Sequence, residues 1–229
     1  RIGCPFYKVA SRDLTNIPLL ERLSKTGKPV IISTGMADLN DIKDAIAALK
    51  GTPDSLIIMQ CTSEYPCKLE NVNLRAIETL RRQFGYLVGL SDHTSGIVVS
   101  TGATLMGAKI IEKHITLDRT MKGTDQPGSL EEAGLHKLIE YIRALEIALG
   151  DGEKVVNPAT AQAKAKLARS LTSAVPILKG QVITEAMLCL KSPGTGLKWT
   201  QRDRIVGKIA SRNIDADVTL SEADFHESH

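Results

Sequence analysis

Short apolar runs alternate with amphipathic stretches along the first two-thirds of the chain. The runs are Pro5–Ala10, Pro29–Ser33, Leu56–Cys61, Leu87–Ser91 and Ala108–Ile115. Each is brief and bounded by polar or turn-forming residues, which predicts strands of a buried parallel sheet. Between them, helical patterns lie near Ile17–Thr26, Leu39–Lys50, Asn73–Phe84 and Gly96–Met106. Strands alternating with helices predict βα units. A longer helix is predicted from Ser129 to Leu149. Ser129 and Glu132 have the spacing of a capping box, and Gly150 is a natural stop. Leu135, Leu138, Ile139, Ile142, Leu145 and Leu149 make one apolar stripe along it.

Then the texture changes. Asp151–Gln162 reads as a polar linker, with Gly152 and Pro158. Beyond it lie short β-prone pieces, Ser170–Val175, Gln181–Ile183 and Ile205–Ala210, with turns at Lys179-Gly180 and Pro193-Gly194. They predict a small, mostly β module with its own core, and His226–His229 is expected to fray. The expected division is residues 1–150, a linker over 151–165, and the β module over 166–229.

Five βα units fall short of the eight that a (β/α)8 barrel needs. A five-stranded doubly wound sheet would normally carry a Gly-rich phosphate loop after its first strand. Ser11-Arg12-Asp13 is not such a loop. The chain starts at Arg1 and runs straight into a strand-like stretch, so it reads as cut from a longer protein.

Composition narrows the function. With 229 residues and 42% apolar content, the chain can bury a sizeable core. Twenty-nine basic residues against 26 acidic ones leave +3, without the basic face that nucleic-acid binding needs. Aromatic residues, at 3%, are too few for base-stacking platforms. No apolar run reaches the roughly 18–20 residues of a membrane span. The start has no signal-peptide core. Cys4, Cys61, Cys67 and Cys189 form no CxxC pair, so a reduced, cytoplasmic setting is expected. Core packing is favoured over a Cys61–Cys67 metal pair, whose spacing does not suit a zinc finger.

Chemistry in a parallel βα array gathers at the carboxyl ends of the strands. All five ends here are polar, and two carry histidine, His93 and His114. Alternation puts Ser91 and His93 on one face with Asp92 opposite, and Glu112 and His114 on one face with Lys113 opposite. Two inward imidazoles on neighbouring strands can converge on one divalent metal. Glu112 could then orient a metal-bound water or act as a base. Two readings of Lys8 stay open: an inward ammonium meeting a phosphate or carboxylate, or an outward one reaching solvent. Ser11, Ser33, Ser63 and Ser91 offer hydroxyl donors at strand ends, which is also ordinary turn chemistry. The polar loop Leu117–Ser129, with Asp118, Lys122, Gly123, Asp125 and Gly128, is either a lid over a hydroxylated substrate or a solvated loop.

The pattern resembles the sialic acid synthase family, of N-acetylneuraminate synthase type. The stretches that carry the resemblance are Tyr7-Lys8-Val9-Ala10-Ser11, Lys28–Met36, Gln60-Cys61-Thr62-Ser63-Glu64-Tyr65-Pro66, Gly89–Thr94 and Ile111–Asp118. Lys122-Gly123-Thr124-Asp125 and Ser129-Leu130-Glu131 extend it, and the tail, with Lys191–Gly196 and Val206-Gly207-Lys208, resembles an antifreeze-like (SAF) domain. The resemblance implies a (β/α)8 TIM-type barrel, here its last five βα units, followed by a SAF domain. It implies a cytoplasmic, PEP-dependent transferase that condenses phosphoenolpyruvate with N-acetylmannosamine or a related amino sugar and releases phosphate. A divalent metal, Mn2+ or Mg2+, would bind at His93 and His114. Lys8, Ser11, Ser63 and Ser91 match positions that hold phosphoenolpyruvate, although some members have Asn at the position of Ser63. Asp13, Tyr65 and Asp125 are placed toward the sugar, and Glu112 and Lys8 are the expected catalytic groups. A homodimer with each SAF domain over the partner's barrel is also implied.

One departure stands out. Ser192 occupies a position where some bacterial members carry an Arg that touches the sugar. Pseudaminic, legionaminic and 9-phosphate-forming synthases share most of these motifs and are the alternative reading. A non-catalytic glycan- or ice-binding descendant is the alternative from another class. The five-unit chain by itself is expected to be poorly stable and catalytically weak.

Overall fold

The computed structural model describes residues 3–50 and 55–227. The chain divides into two compact units, Arg1–Gly152 and Glu153–His229.

The first unit is a five-stranded parallel sheet in the order β1-β2-β3-β4-β5. The strands are β1 (Tyr7–Val9), β2 (Val30–Ser33), β3 (Leu56–Cys61), β4 (Leu87–Asp92) and β5 (Ile111–Lys113). Helices α1 (Ile17–Ser24), α2 (Leu39–Ala48), α3 (Ala76–Phe84), α4 (Val98–Leu105) and α5 (Glu132–Leu149) follow them. Local chemistry starts the early helices. The Asn16 side chain accepts from the Leu19 amide. Asp38 and Asp41 form a reciprocal capping box at α2.

Alternating strand residues face the helices. Val9, Val30, Ile32, Leu56, Ile58, Val88 and Leu90 pack there with Leu20, Ile42, Ala45, Ile77, Leu80 and Ala103 in one buried core. The other residues face inward. Gly89 shares the inward face with Ser91, and a Cβ there would stand 2.5 Å from the Met59 sulfur and the Ile110 carbonyl oxygen. Met59 fills that space and is fully buried.

The sheet curls. In a flat sheet, four strand spacings of about 4.8 Å would set β1 and β5 about 19 Å apart. Yet Lys8 Nζ on β1 lies 3.4 Å from Glu112 Oε2 on β5. The unit is therefore a partial (β/α) barrel, closed enough for its first and last strands to meet through their side chains.

The second unit holds the short helix α6 (Ala161–Leu167) and two antiparallel pairs. β6 (Ser170–Ser173) pairs with β7 (Leu188–Lys191), and β8 (Ile209–Ala210) pairs with β9 (Phe225–His226). Leu171, Ile177, Ile183, Ile205, Ala210, Ile214 and Leu220 form its own buried core.

Several local expectations are corrected. The last helix of the first unit begins at Glu132, not Ser129, and has no side-chain cap. Ser129 Oγ instead donates to the Asp125 carbonyl at 2.7 Å, closing the preceding loop. The stripe on α5 is only partly covered. Leu138 is buried, but Ile139 and Leu149 are about half exposed, beside an apolar groove bordered by Ile111 and Ile115. Part of the expected linker is helical, over Ala161–Leu167. His226 is paired rather than frayed, while His229 lies outside the described residues.

Candidate active site

The register lines up the strand ends. Cys61 is level with Ser91, and Ser91 is level with Glu112. Asp92 is level with Lys113, so His93 and His114 each follow one member of a register pair. Ser91, His93, Glu112 and His114 reach inward together, and Lys8 meets them from β1. Ser91 Oγ donates to Glu112 Oε1 at 2.8 Å, while Lys8 approaches the other carboxylate oxygen at 3.4 Å. The anion that Lys8 meets in this structure is therefore Glu112.

Three rings stand beside this pair. The centroids of His93 and His114 are 5.3 Å apart, nearly perpendicular. The Tyr65 ring lies 4.1 Å from that of His93 and 5.8 Å from that of His114. Burial pushes the Tyr65 phenol upward, and Cys61, Asp125 and Glu112 add to the effect, so it stays protonated near neutral pH. Asp125 Oδ2 lies 3.6 Å from His114 Nδ1.

His93 is fixed from behind. Its Nδ1 lies 2.8 Å from the Thr62 carbonyl oxygen. A carbonyl only accepts, so Nδ1 carries a proton, and in the neutral ring Nε2 keeps its lone pair. A metal-binding imidazole needs this tautomer and this kind of backing contact. At His114 the nearest group on Nδ1 is the Asp125 carboxylate, at 3.6 Å, a looser contact than a hydrogen bond. The two imidazoles thus fit as part of a divalent-metal site, with other ligands supplied by water or substrate. Among the described residues, no cluster of three or more His, Cys, Asp or Glu could by itself hold a metal ion.

A second cluster joins β1, β2 and β3. Ser11 Oγ accepts from the Gly35 amide at 2.9 Å and lies 3.6 Å from Cys61 Sγ. The Ser63 amide donates to the Gly35 carbonyl at 3.2 Å. Sequence reasoning passed over Gly35. A Cβ there would stand 2.5 Å from Ser63 Oγ and 2.9 Å from both Cys61 Sγ and Ser11 Oγ. Only glycine lets these side chains close up.

Cys61 was also missed, being read as packing. It is buried, with its sulfur 3.9 Å from His93 Nδ1. Burial pushes its thiol up, but His93 and Ser11 outweigh that, and the net direction is down. For His93, burial acts downward, but Cys61 and the Thr62 carbonyl leave it raised. Its place in the row with Ser91 and Glu112 follows once the register is known.

Other expected residues stand apart or make internal contacts. Asp13 sits in the 3-10 turn Ser11–Asp13, and Arg12 approaches its carboxylate at 3.5 Å. The loop before α5 folds on itself, with Arg119 Nε donating to the Pro127 carbonyl at 2.9 Å. Ser192 Oγ donates to the Leu167 carbonyl at 3.2 Å, and the neighbouring Lys191 is paired with Asp217.

Comparison with known proteins agrees with this architecture. The NeuB family model matches residues 1–154, and the SAF domain model matches residues 168–226. The chain is 36% identical over 224 residues to N,N'-diacetyllegionaminic acid synthase of Campylobacter jejuni, covering 96% of this chain and 67% of that protein. It is 38% identical over 224 residues to the Legionella pneumophila protein of the same name, covering 96% of this chain and 63% of that one. Among solved structures, the N-acetylneuraminic acid (sialic acid) synthetase of Leptospira borgpetersenii superposes with a TM-score of 0.66 at 36% identity, over 71% of this chain and 57% of that one. The chain thus spans about two thirds of the length of these curated relatives. A partial barrel with polar groups at its strand ends, followed by a small β unit, agrees with both matches: the chain belongs to the NeuB family and carries a SAF domain.

Proposed function

We propose that this chain supplies much of the active site of a nonulosonic acid synthase, which condenses phosphoenolpyruvate with an open-chain acetamido sugar. One observation carries the reading. A cation (Lys8), a carboxylate (Glu112), strand-end hydroxyls and two imidazoles gather at one end of a partial barrel. In the overall reaction, the phosphoenolpyruvate methylene carbon bonds to the sugar's aldehyde carbon, water adds at the enol carbon, and the C–O bond to phosphate breaks.

The residues divide the work. Lys8, with Ser11, Ser63 and Ser91, holds the anionic groups of phosphoenolpyruvate. Its arrival draws Lys8 and Ser91 away from Glu112, which then accepts a proton from the water that adds. Tyr65 and Asp125 orient the sugar, with Asp13 at the edge of its pocket. His93 and His114 would hold Mn2+ or Mg2+, which when bound supplies a Lewis acid for the aldehyde oxygen. The chain acts as a homodimer in the cytoplasm. Among the described residues, no helix is long and apolar enough to cross a membrane.

N-acetylmannosamine is displaced as the first-choice sugar. Two similar relatives carry the name N,N'-diacetyllegionaminic acid synthase, which favours a sugar with two acetamido groups. The test offers the full-length protein N-acetylmannosamine, its 6-phosphate and a 2,4-diacetamido sugar, and identifies the product by mass. The diacetamido sugar should give a nine-carbon acid at the highest kcat/KM. Preference for the 6-phosphate would move the assignment to a 9-phosphate product, and no nine-carbon acid from any sugar would refute the reading.

A further inference from the structure

On the helix-facing side of the strand ends lies a polar cluster to which the proposed chemistry gives no part. Asp92 closes β4, Lys113 closes β5, and the two are register partners. Their side chains are 1% and 4% exposed, with Lys113 Nζ 2.8 Å from Asp92 Oδ2. Ser100 on α4, itself buried, donates to the same oxygen at 2.5 Å. Asp92 Oδ1 accepts from the Thr94 amide at 2.8 Å and from Thr94 Oγ1 at 2.7 Å. Lys113 also donates to the Thr94 carbonyl.

This cluster brackets His93 and abuts His114. Residues 92 and 94, on either side of His93, are tied to one carboxylate, and Lys113 directly precedes His114. Desolvating two charges offsets much of what their attraction returns, so a buried ion pair is a poor way to hold two strands together. An apolar pair would pack as well. What the ion pair adds is direction: it sets the height and twist of one strand end against the other.

We propose that Asp92 and Lys113 are positioning residues that set the spacing of His93 and His114 for a divalent metal. The inference rests on the proposed metal-binding role of those histidines. Partners hydrogen-bonded to metal ligands typically account for about 10–100-fold in metal affinity; Asp92 and Lys113 act through the backbone, which points to the low end of that range.

The test uses the full-length protein and Mn2+ alone, with binding followed by electron paramagnetic resonance. The variants are Lys113→Met and the double variant Asp92→Asn/Lys113→Met, which leaves no unpaired buried charge. Leu20→Ala, on the buried face of α1, controls for lost stability, and His93→Ala marks loss of the site. The double variant should weaken Mn2+ binding by about tenfold. Leu20→Ala should lower the melting temperature without moving Mn2+ affinity. Wild-type Mn2+ affinity in a folded double variant would overturn the positioning role and leave the metal site standing. Equal Mn2+ binding by wild type and His93→Ala would remove the metal site itself, and the inference with it.

Discussion

Among the described residues the carboxylate that Lys8 meets is Glu112, at 3.4 Å, so on the proposed reading an anionic substrate competes for it. Lys8→Met should raise KM for phosphoenolpyruvate by about 10–100-fold, the cost of one charge-assisted contact; steady-state kinetics at saturating sugar would show it. An unchanged KM would mean that Lys8 holds Glu112 and nothing else. Gly35 tests the neighbouring cluster by shape. Gly35→Ala would drive a methyl group to 2.5 Å from Ser63 Oγ and 2.9 Å from Ser11 Oγ. The hydroxyls must then separate, and phosphoenolpyruvate affinity should fall about tenfold or more, as for a lost hydrogen bond to a charged group. Isothermal titration checks this, and wild-type affinity would show that those hydroxyls do not contact substrate. Which residues of 91–93 and 112–114 share a face was legible from strand alternation; which face turns inward was not. Gly35 was not, because its importance depends on three side chains from other strands.

At the scale of elements, alternation of strand and helix was readable because each apolar run is short and each helix presents one apolar face. Boundaries were less so. Ser129 and Glu132 have capping-box spacing, yet Ser129 bonds back to the Asp125 carbonyl, because a tight 3-10 turn at Gln126–Gly128 captures it first. The α5 stripe was legible as a pattern, but the share of it that is buried was not. Leu138 is 3% exposed and Ile147 is 83% exposed. Leu138→Ala should cost about 2–4 kcal/mol of stability, and Ile147→Ala less than about 0.5 kcal/mol. Urea unfolding of the two variants would check the contrast. Equal losses would mean that Ile147 is covered in the folded protein.

At the scale of the whole molecule, two units with separate cores allow separate probes. The chain's one tryptophan, Trp199, lies in the SAF unit and reports on it. There, burial would raise the Asp224 carboxyl, but the Ser221 amide and hydroxyl and Arg212 outweigh it, and the net direction is down. A lowered folded pKa stabilises the fold above the ordinary carboxylate value of about 3.9, and that stability is lost as pH falls through the lowered value. Asp224→Asn should therefore destabilise the unit at neutral pH and converge with wild type in acid, read as the Trp199 fluorescence midpoint in urea. A gap that stays constant with pH would exclude the charge as its cause. The β texture of this unit was legible in its turns. β7 was not, because Leu188–Lys191 is too short to show a period and acquires its register only against β6.

The central claim is that these strand ends catalyse sugar-dependent cleavage of phosphoenolpyruvate. Phosphate release by the full-length protein, with a panel of acetamido sugars, with Mn2+ and with chelator, tests it most directly. Release is expected only when sugar and metal are both present, and is abolished by chelator and by His93→Ala. Release that ignores the sugar, or none with any sugar and metal, would contradict it.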